Sequence, residues 1–168
     1  GLLREGKGST WEGGMREPAI AWWPGRIKPG GVTSEIGSTL DLFTTSLSLA
    51  GAPLPDDRII DGLDLSPVLF GTGSSPRKTM FFYRGTRLYA VRHGPFKAHW
   101  ITQSAYGPDA PQEQNPPLLF HLRHDPSEQF NVAGKHPEIL QSMAEIVKRH
   151  QAGLKRGPTQ LESRRGPG

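Results

Sequence analysis

The period of the apolar positions changes near the middle of the chain. Before it, Pro18 to Trp23 is a nearly unbroken apolar run that Pro24-Gly25 ends. Without polar alternation, such a run predicts a strand buried on both faces of a sheet. Residues 1 to 16 are glycine-rich and predict a loop, and Lys28-Pro29-Gly30-Gly31 predicts a turn. Leu40, Phe43, Leu47 and Ala50 then recur at helical spacing, with Ser38 or Thr39 to cap the start and Gly51 and Pro53 to close the end. This predicts an amphipathic helix over Thr39–Ala50. Ser66-Pro67 before Val68-Leu69-Phe70 and Gly71 predicts one short helical turn, and Gly71 to Arg77 a linker.

Beyond that point the period becomes that of strands. Thr79–Tyr83, Leu88–Arg92 and Phe96–Thr102 are joined by Arg84-Gly85-Thr86 and His93-Gly94-Pro95, which predicts an antiparallel meander. A polar loop over Gln103 to Pro117 precedes a fourth strand at Leu118–Leu122, and Asp125-Pro126 turns the chain. Pro137, Ile139, Leu140, Met143, Ile146, Val147 and Leu154 mark a helix whose one apolar stripe suits it to cover the meander. The expected organisation is therefore residues 1–73, residues 74–156 as a small four-stranded α+β unit, and a disordered tail at 157–168. With one strand and two helices, the first piece closes no core of its own and needs partner strands from elsewhere.

Composition changes this picture little. With 168 residues, 16 Pro, 21 Gly and 35% hydrophobic content, the chain fits one core or two small ones in a loop-rich α+β protein. The absence of cysteine removes disulfides, thiolate metal sites and a cysteine nucleophile from these residues. No run approaches a transmembrane span, so no membrane partner is expected. A net charge of +4 is spread among 16 acids with no nucleic-acid-binding motif, so no nucleic-acid partner is expected either.

The stretch with clear chemistry is Gly6-Lys7-Gly8-Ser9-Thr10-Trp11-Glu12-Gly13-Gly14-Met15-Arg16-Glu17-Pro18. A lysine between two glycines can present its ammonium and nearby backbone N–H groups to one small anion, although a solvated loop lysine is the plainer alternative. Ser9 and Thr10 are expected to hydrogen-bond their own loop, Glu12 to pair with Arg16, and Trp22 and Trp23 to be core. His99 and His121 are expected to be structural, His136 to start a helix, and His93, His124 and His150 to lie at the surface. Asp56, Asp57, Asp61 and Asp64 lack the spacing of a calcium loop and suit turns and caps.

That stretch resembles the second sulfatase signature. Ala21-Trp22-Trp23-Pro24-Gly25, Leu40-Asp41-Leu42-Phe43, Asp61-Gly62-Leu63-Asp64-Leu65-Ser66, Lys97-Ala98-His99 and Pro117 to Leu122 with Asp125-Pro126 extend the likeness. Together they resemble the C-terminal portion of type I sulfatases of the arylsulfatase A and galactosamine-6-sulfatase group. The resemblance implies an α/β fold of the alkaline-phosphatase-like sulfatase type, here as the incomplete end of the large α/β domain (1–73) followed by the small antiparallel sheet with its covering helix. It also implies hydrolysis of sulfate esters, aryl or sugar, by a formylglycine beside a calcium ion, with Lys7 as a catalytic and substrate-binding residue that contacts a sulfate oxygen.

The family makes its formylglycine in a Cys/Ser-x-Pro-x-Arg motif, and none occurs here: Ser74-Ser75-Pro76-Arg77 places Lys78 where the arginine should stand. The Asp-Asn pair that precedes the signature would fall before Gly1, and no residue of this chain is assigned to the metal. The chain, beginning without Met inside a motif, is therefore expected to be a portion of a longer sulfatase and inactive alone. The alternative is a non-catalytic anion-binding or interaction module on the same scaffold. The family suggests a secreted, periplasmic or lysosomal setting. The loop Gln103 to Pro117 is expected to edge the sulfate pocket and shape substrate choice.

Overall fold

In a computed structural model, residues 1–154 are described. The ordered elements are α1 (Glu12–Met15), α2 (Leu40–Ala50), α3 (Ser66–Leu69), β1 (Thr79–Arg84), β2 (Arg87–His93), β3 (Phe96–Thr102), β4 (Gln112–His121), a 3₁₀ turn at Ala133–Lys135 and α4 (Pro137–Gly153). The expected tail at 157–168 lies outside the described residues.

The four strands form the antiparallel meander that their alternation predicts, in the order β1-β2-β3-β4. On one face Val91, Ala98 and Leu119 pack with Ala133 and Met143, and Ile139, Leu140 and Val147 of α4 close over them. Period-two strands and a period-3.6 helix meet here along one continuous apolar seam. Leu154 falls beyond the helix and is exposed. β4 starts at Gln112, six residues before the predicted Leu118, so the loop before it is shorter than expected. Pro116 and Pro117 hide this in the sequence. They are tolerated because β4 is an edge strand whose pairing with β3 breaks between His99 and Ile101.

The first 73 residues depart further from expectation. Pro18 to Trp23 forms no strand, Ile20 and Trp22 are 97% and 84% exposed, and Trp23 lies against Phe70 and Arg26 instead of in a core. A strand exists only by pairing, and no described strand lies beside this segment. Helix α2 occupies nearly the predicted span, and Gly51 ends it in the left-handed conformation. Its faces are reversed, however. Leu40, Leu42 and Phe43 are exposed, whereas Asp41, Thr44 and Thr45 are buried.

Asp41 explains the inversion. Its carboxylate accepts from Ser38 N at 2.8 Å while Ser38 Oγ accepts from Leu40 N, so the two side chains tie the chain down just before the helix. The same carboxylate accepts from Leu63 N at 2.8 Å and from the Arg77 guanidinium, whose Nε lies 2.8 Å from Oδ2. Arg77 also donates to the Asp61 carbonyl, and Ser75 donates through Oγ to the Ile36 carbonyl at 2.6 Å. The expected linker is thus an anchor, with Ser75 and Arg77 buried. Burial alone would raise the Asp41 pKa; the hydrogen bonds from Arg77, Leu63 and Ser38, with the charge of Arg77, outweigh it and hold the carboxyl below its ordinary value.

Breaking a buried pair by removing one partner costs about 3–5 kcal/mol. Asp41→Asn should lower the unfolding free energy by that order in urea titrations at pH 7. The difference should shrink as pH falls below the ordinary carboxylate range, where the depressed native pKa no longer stabilises the fold.

Candidate functional site

The signature loop docks on the sheet face opposite α4. Trp11 packs with Phe120 and Leu122 and stacks on the His99 ring at 4.1 Å between centroids, and the Arg4 guanidinium covers the indole at 3.7 Å. The chain then folds back on itself, with Gly13 N donating to the Arg4 carbonyl at 2.9 Å and Ser9 N to the Gly6 carbonyl at 3.1 Å. The two glycines of the bend are required sterically. A Cβ on Gly13 would lie 2.2 Å from the Glu5 carbonyl oxygen, and one on Gly14 would lie 2.4 Å from that of Ser9.

Charge locks this docking. Lys97 and His99 point from β3 toward the loop, both fully buried. Lys97 Nζ meets Glu12 Oε1 at 2.9 Å and Glu128 Oε1 at 3.3 Å, while His99 Nε2 lies 2.7 Å from Glu128 Oε1. Glu12 N donates to Glu128 Oε2 at 2.6 Å. Glu12 therefore pairs with Lys97 and not with Arg16 as the sequence spacing suggests, because the bend carries it under the sheet. Burial pushes the His99 pKa below its ordinary value, against the hydrogen bond that the ring donates to Glu128, and favours the neutral ring donating through Nε2. Burial would raise the Glu128 pKa, but the His99 hydrogen bond and the charge of Lys97 hold it below the ordinary range.

Lys7 sits at the tip of this loop, exposed, and makes no hydrogen bond or ion pair among the described residues. The Ser9 and Thr10 hydroxyls are buried without a hydrogen-bond partner, contrary to the expected bonds to their own loop; only Ser9 N takes part in the loop's backbone bonding. The loop after β3 lies alongside, with Gly8 against Ala105 and Ala105 N donating to Glu5 Oε2 at 3.4 Å. Between them is a cleft of about 140 Å³ whose walls include Arg4, Trp11, Gln103 and Asp109.

Among the other histidines, His150 is half-buried, stacked on Phe81 at 3.6 Å and 2.8 Å from Tyr83 Oη, and not at the surface as expected. Asp64 serves as a cap, bonded to Ser48 and Ser66. Among the described residues no three His, Cys, Asp or Glu side chains converge on a point where a metal ion would fit.

Residues 75–166, more than half the chain, match the family profile described as the C-terminal region of aryl-sulfatase, and residues 1–52 match the sulfatase profile. The chain belongs to the sulfatase family. Human arylsulfatase A is 46% identical over 96% of this chain and 36% of its own length, and dog N-acetylgalactosamine-6-sulfatase is 45% identical over 93% and 34%. The crystal structure of PsFucS1 sulfatase from Pseudoalteromonas sp. superposes with a TM-score of 0.79 at 30% identity, covering 89% of this sulfatase chain and 32% of that one. The antiparallel sheet and its helices are thus part of the alkaline-phosphatase-like sulfatase fold. This sulfatase chain spans about a third of the length of the curated relatives it matches.

Reading single residues misses the Lys97–His99–Glu12–Glu128 cluster. The one local signal is Lys97-Ala98-His99, whose alternation puts both side chains on one face of a strand. Because His99 is held neutral, the unfolded chain takes up a proton first as pH falls through about 6.5. Wild-type stability in urea should drop between pH 7 and 5, and His99→Gln should flatten that slope while lowering stability at pH 7.

Proposed function

We propose that this chain is the carboxy-terminal portion of an enzyme that hydrolyses sulfate esters, to which it contributes Lys7 as a contact to a sulfate oxygen. The observation that carries this is the contrast within the signature loop. Its base is fastened by a buried charge cluster and two obligatory glycines, while its tip displays an ammonium with no partner among the described residues. A compact ammonium on a fixed loop suits charge that builds on oxygen during transfer of a sulfuryl group.

Formylglycine supplies the nucleophile in this family and calcium polarises the group transferred. The 168 residues contain neither the precursor motif nor, among those described, a metal-ligand cluster, so both belong to other residues of the intact protein. Residues 1–73 are then the end of the catalytic domain and 74–156 a small subdomain that braces the signature loop from below. The substrate is an aryl or sugar sulfate. The relatives' names point to both, and the packing of the loop after β3 against Glu5 and Gly8 supports its touching the part of the substrate that bears the sulfate.

In the intact enzyme with a chromogenic aryl sulfate, Lys7→Ala should cost about 2–4 kcal/mol of transition-state stabilisation, or roughly 30- to 1000-fold in kcat/KM, by analogy with loss of one oxyanion donor. An unchanged kcat/KM would refute the role of Lys7 and favour a non-catalytic anion-binding module. Exchanging residues 103–111 for those of a relative with another sulfate preference should change the ratio of kcat/KM between an aryl and a sugar sulfate. Retention of the original ratio would remove the loop from the pocket.

A further inference from the structure

A second concentration of positive charge lies away from Lys7. Arg16 follows α1, Lys78 precedes β1, Arg92 is on β2 and Arg123 follows β4, and all four line one cleft of about 280 Å³. Arg77 and Glu35 line it too, but both are committed. Arg77 is tied to Asp41 and the Asp61 carbonyl, and Glu35 Oε2 accepts from Ser75 N at 2.7 Å. Among the described residues Arg16, Lys78 and Arg123 make no ion pair, and the Arg92 side chain finds only the Gly94 carbonyl, 3.2 Å from its Nε.

We infer that this cleft binds a multiply charged tetrahedral oxyanion, sulfate or phosphate, free or as the ester of a small carrier. Four cations from four separate segments converge on it, and a single carboxylate, already engaged, faces them. Guanidinium groups fork onto two oxygens of such an anion, which a lysine cannot do. Like charges gathered around a half-buried arginine repel one another. Burial depresses the Arg92 pKa, the charge of Glu12 opposes this, and the charges of Arg16 and Arg123 add to it. A bound dianion removes that repulsion. The cleft exceeds a bare anion and leaves room for part of a sugar. Lys7 is not among its lining residues, so the inference stands apart from the role proposed for Lys7.

The test is a titration of the intact protein carrying Lys7→Ala, which removes the sulfate contact proposed above, with sodium sulfate against sodium chloride at equal ionic strength, followed by thermal melting and by NMR of the arginine side chains. Sulfate should raise the melting temperature saturably and chloride should not. Arg16→Gln and Arg123→Gln, both at exposed positions, should each weaken sulfate binding at least threefold, and the double variant at least tenfold. Arg123→Lys should fall between, since it keeps the charge and loses the fork. Galactose 6-sulfate binding more tightly than inorganic sulfate identifies an ester as the occupant; equal affinity identifies the free anion. Indistinguishable responses to sulfate and chloride, or full affinity in the double variant, would overturn the inference.

Discussion

The carboxylate of Glu128 is the point on which the two halves of this chain meet. Buried without partners, such a group would cost several kcal/mol. Here one oxygen faces His99 and Lys97 and the other takes the backbone N–H of Glu12. These bonds also hold Glu128 at a φ of 52°, in the left-handed region that a non-glycine residue adopts only when its surroundings impose it. The partners are contributed by β3 and by the bend after Trp11, so buried charge fixes the signature loop to the sheet. Trp11 adds the apolar part of the same joint by stacking on His99 under the Arg4 guanidinium.

The rest of the first 73 residues is built the other way round, with its polar side chains turned inward. Asp41 collects the Ser38 and Leu63 backbone N–H groups and the Arg77 guanidinium into one buried knot, and Leu40, Leu42 and Phe43 face outward together with Ile20 and Trp22. Exposed apolar surface on this scale marks a contact face. The chain spans about a third of the length of its relatives, and the segment from Pro18 to Trp23 and the outer face of α2 have the composition of core.

What was legible in the sequence follows from this. β3 matches its predicted bounds and α4 its predicted seam because their periods are set by a core contained in the chain itself. Lys7 was legible as a candidate because glycines on either side of a lysine are a local signal. The Pro18–Trp23 strand failed because pairing is not local, and the inverted faces of α2 failed because spacing identifies an apolar stripe without saying what lies against it. Glu128 gave no signal at all. It stands 116 residues from Glu12 and 29 from His99, and only the folded chain joins them.

The two cationic features differ in the physics of their side chains. Lys7 is one point charge on a flexible stem above a fixed base, and its attraction to an oxygen rises with the charge on that oxygen without demanding one orientation. Such a group suits an anion whose charge is redistributed during reaction. The cleft of Arg16, Arg92 and Arg123 offers planar forks from separate segments, and these reward an anion of fixed shape held in one pose. In this chain the lysine is carried on the loop that Glu128 braces, and the arginines are gathered where the ends of the strands converge.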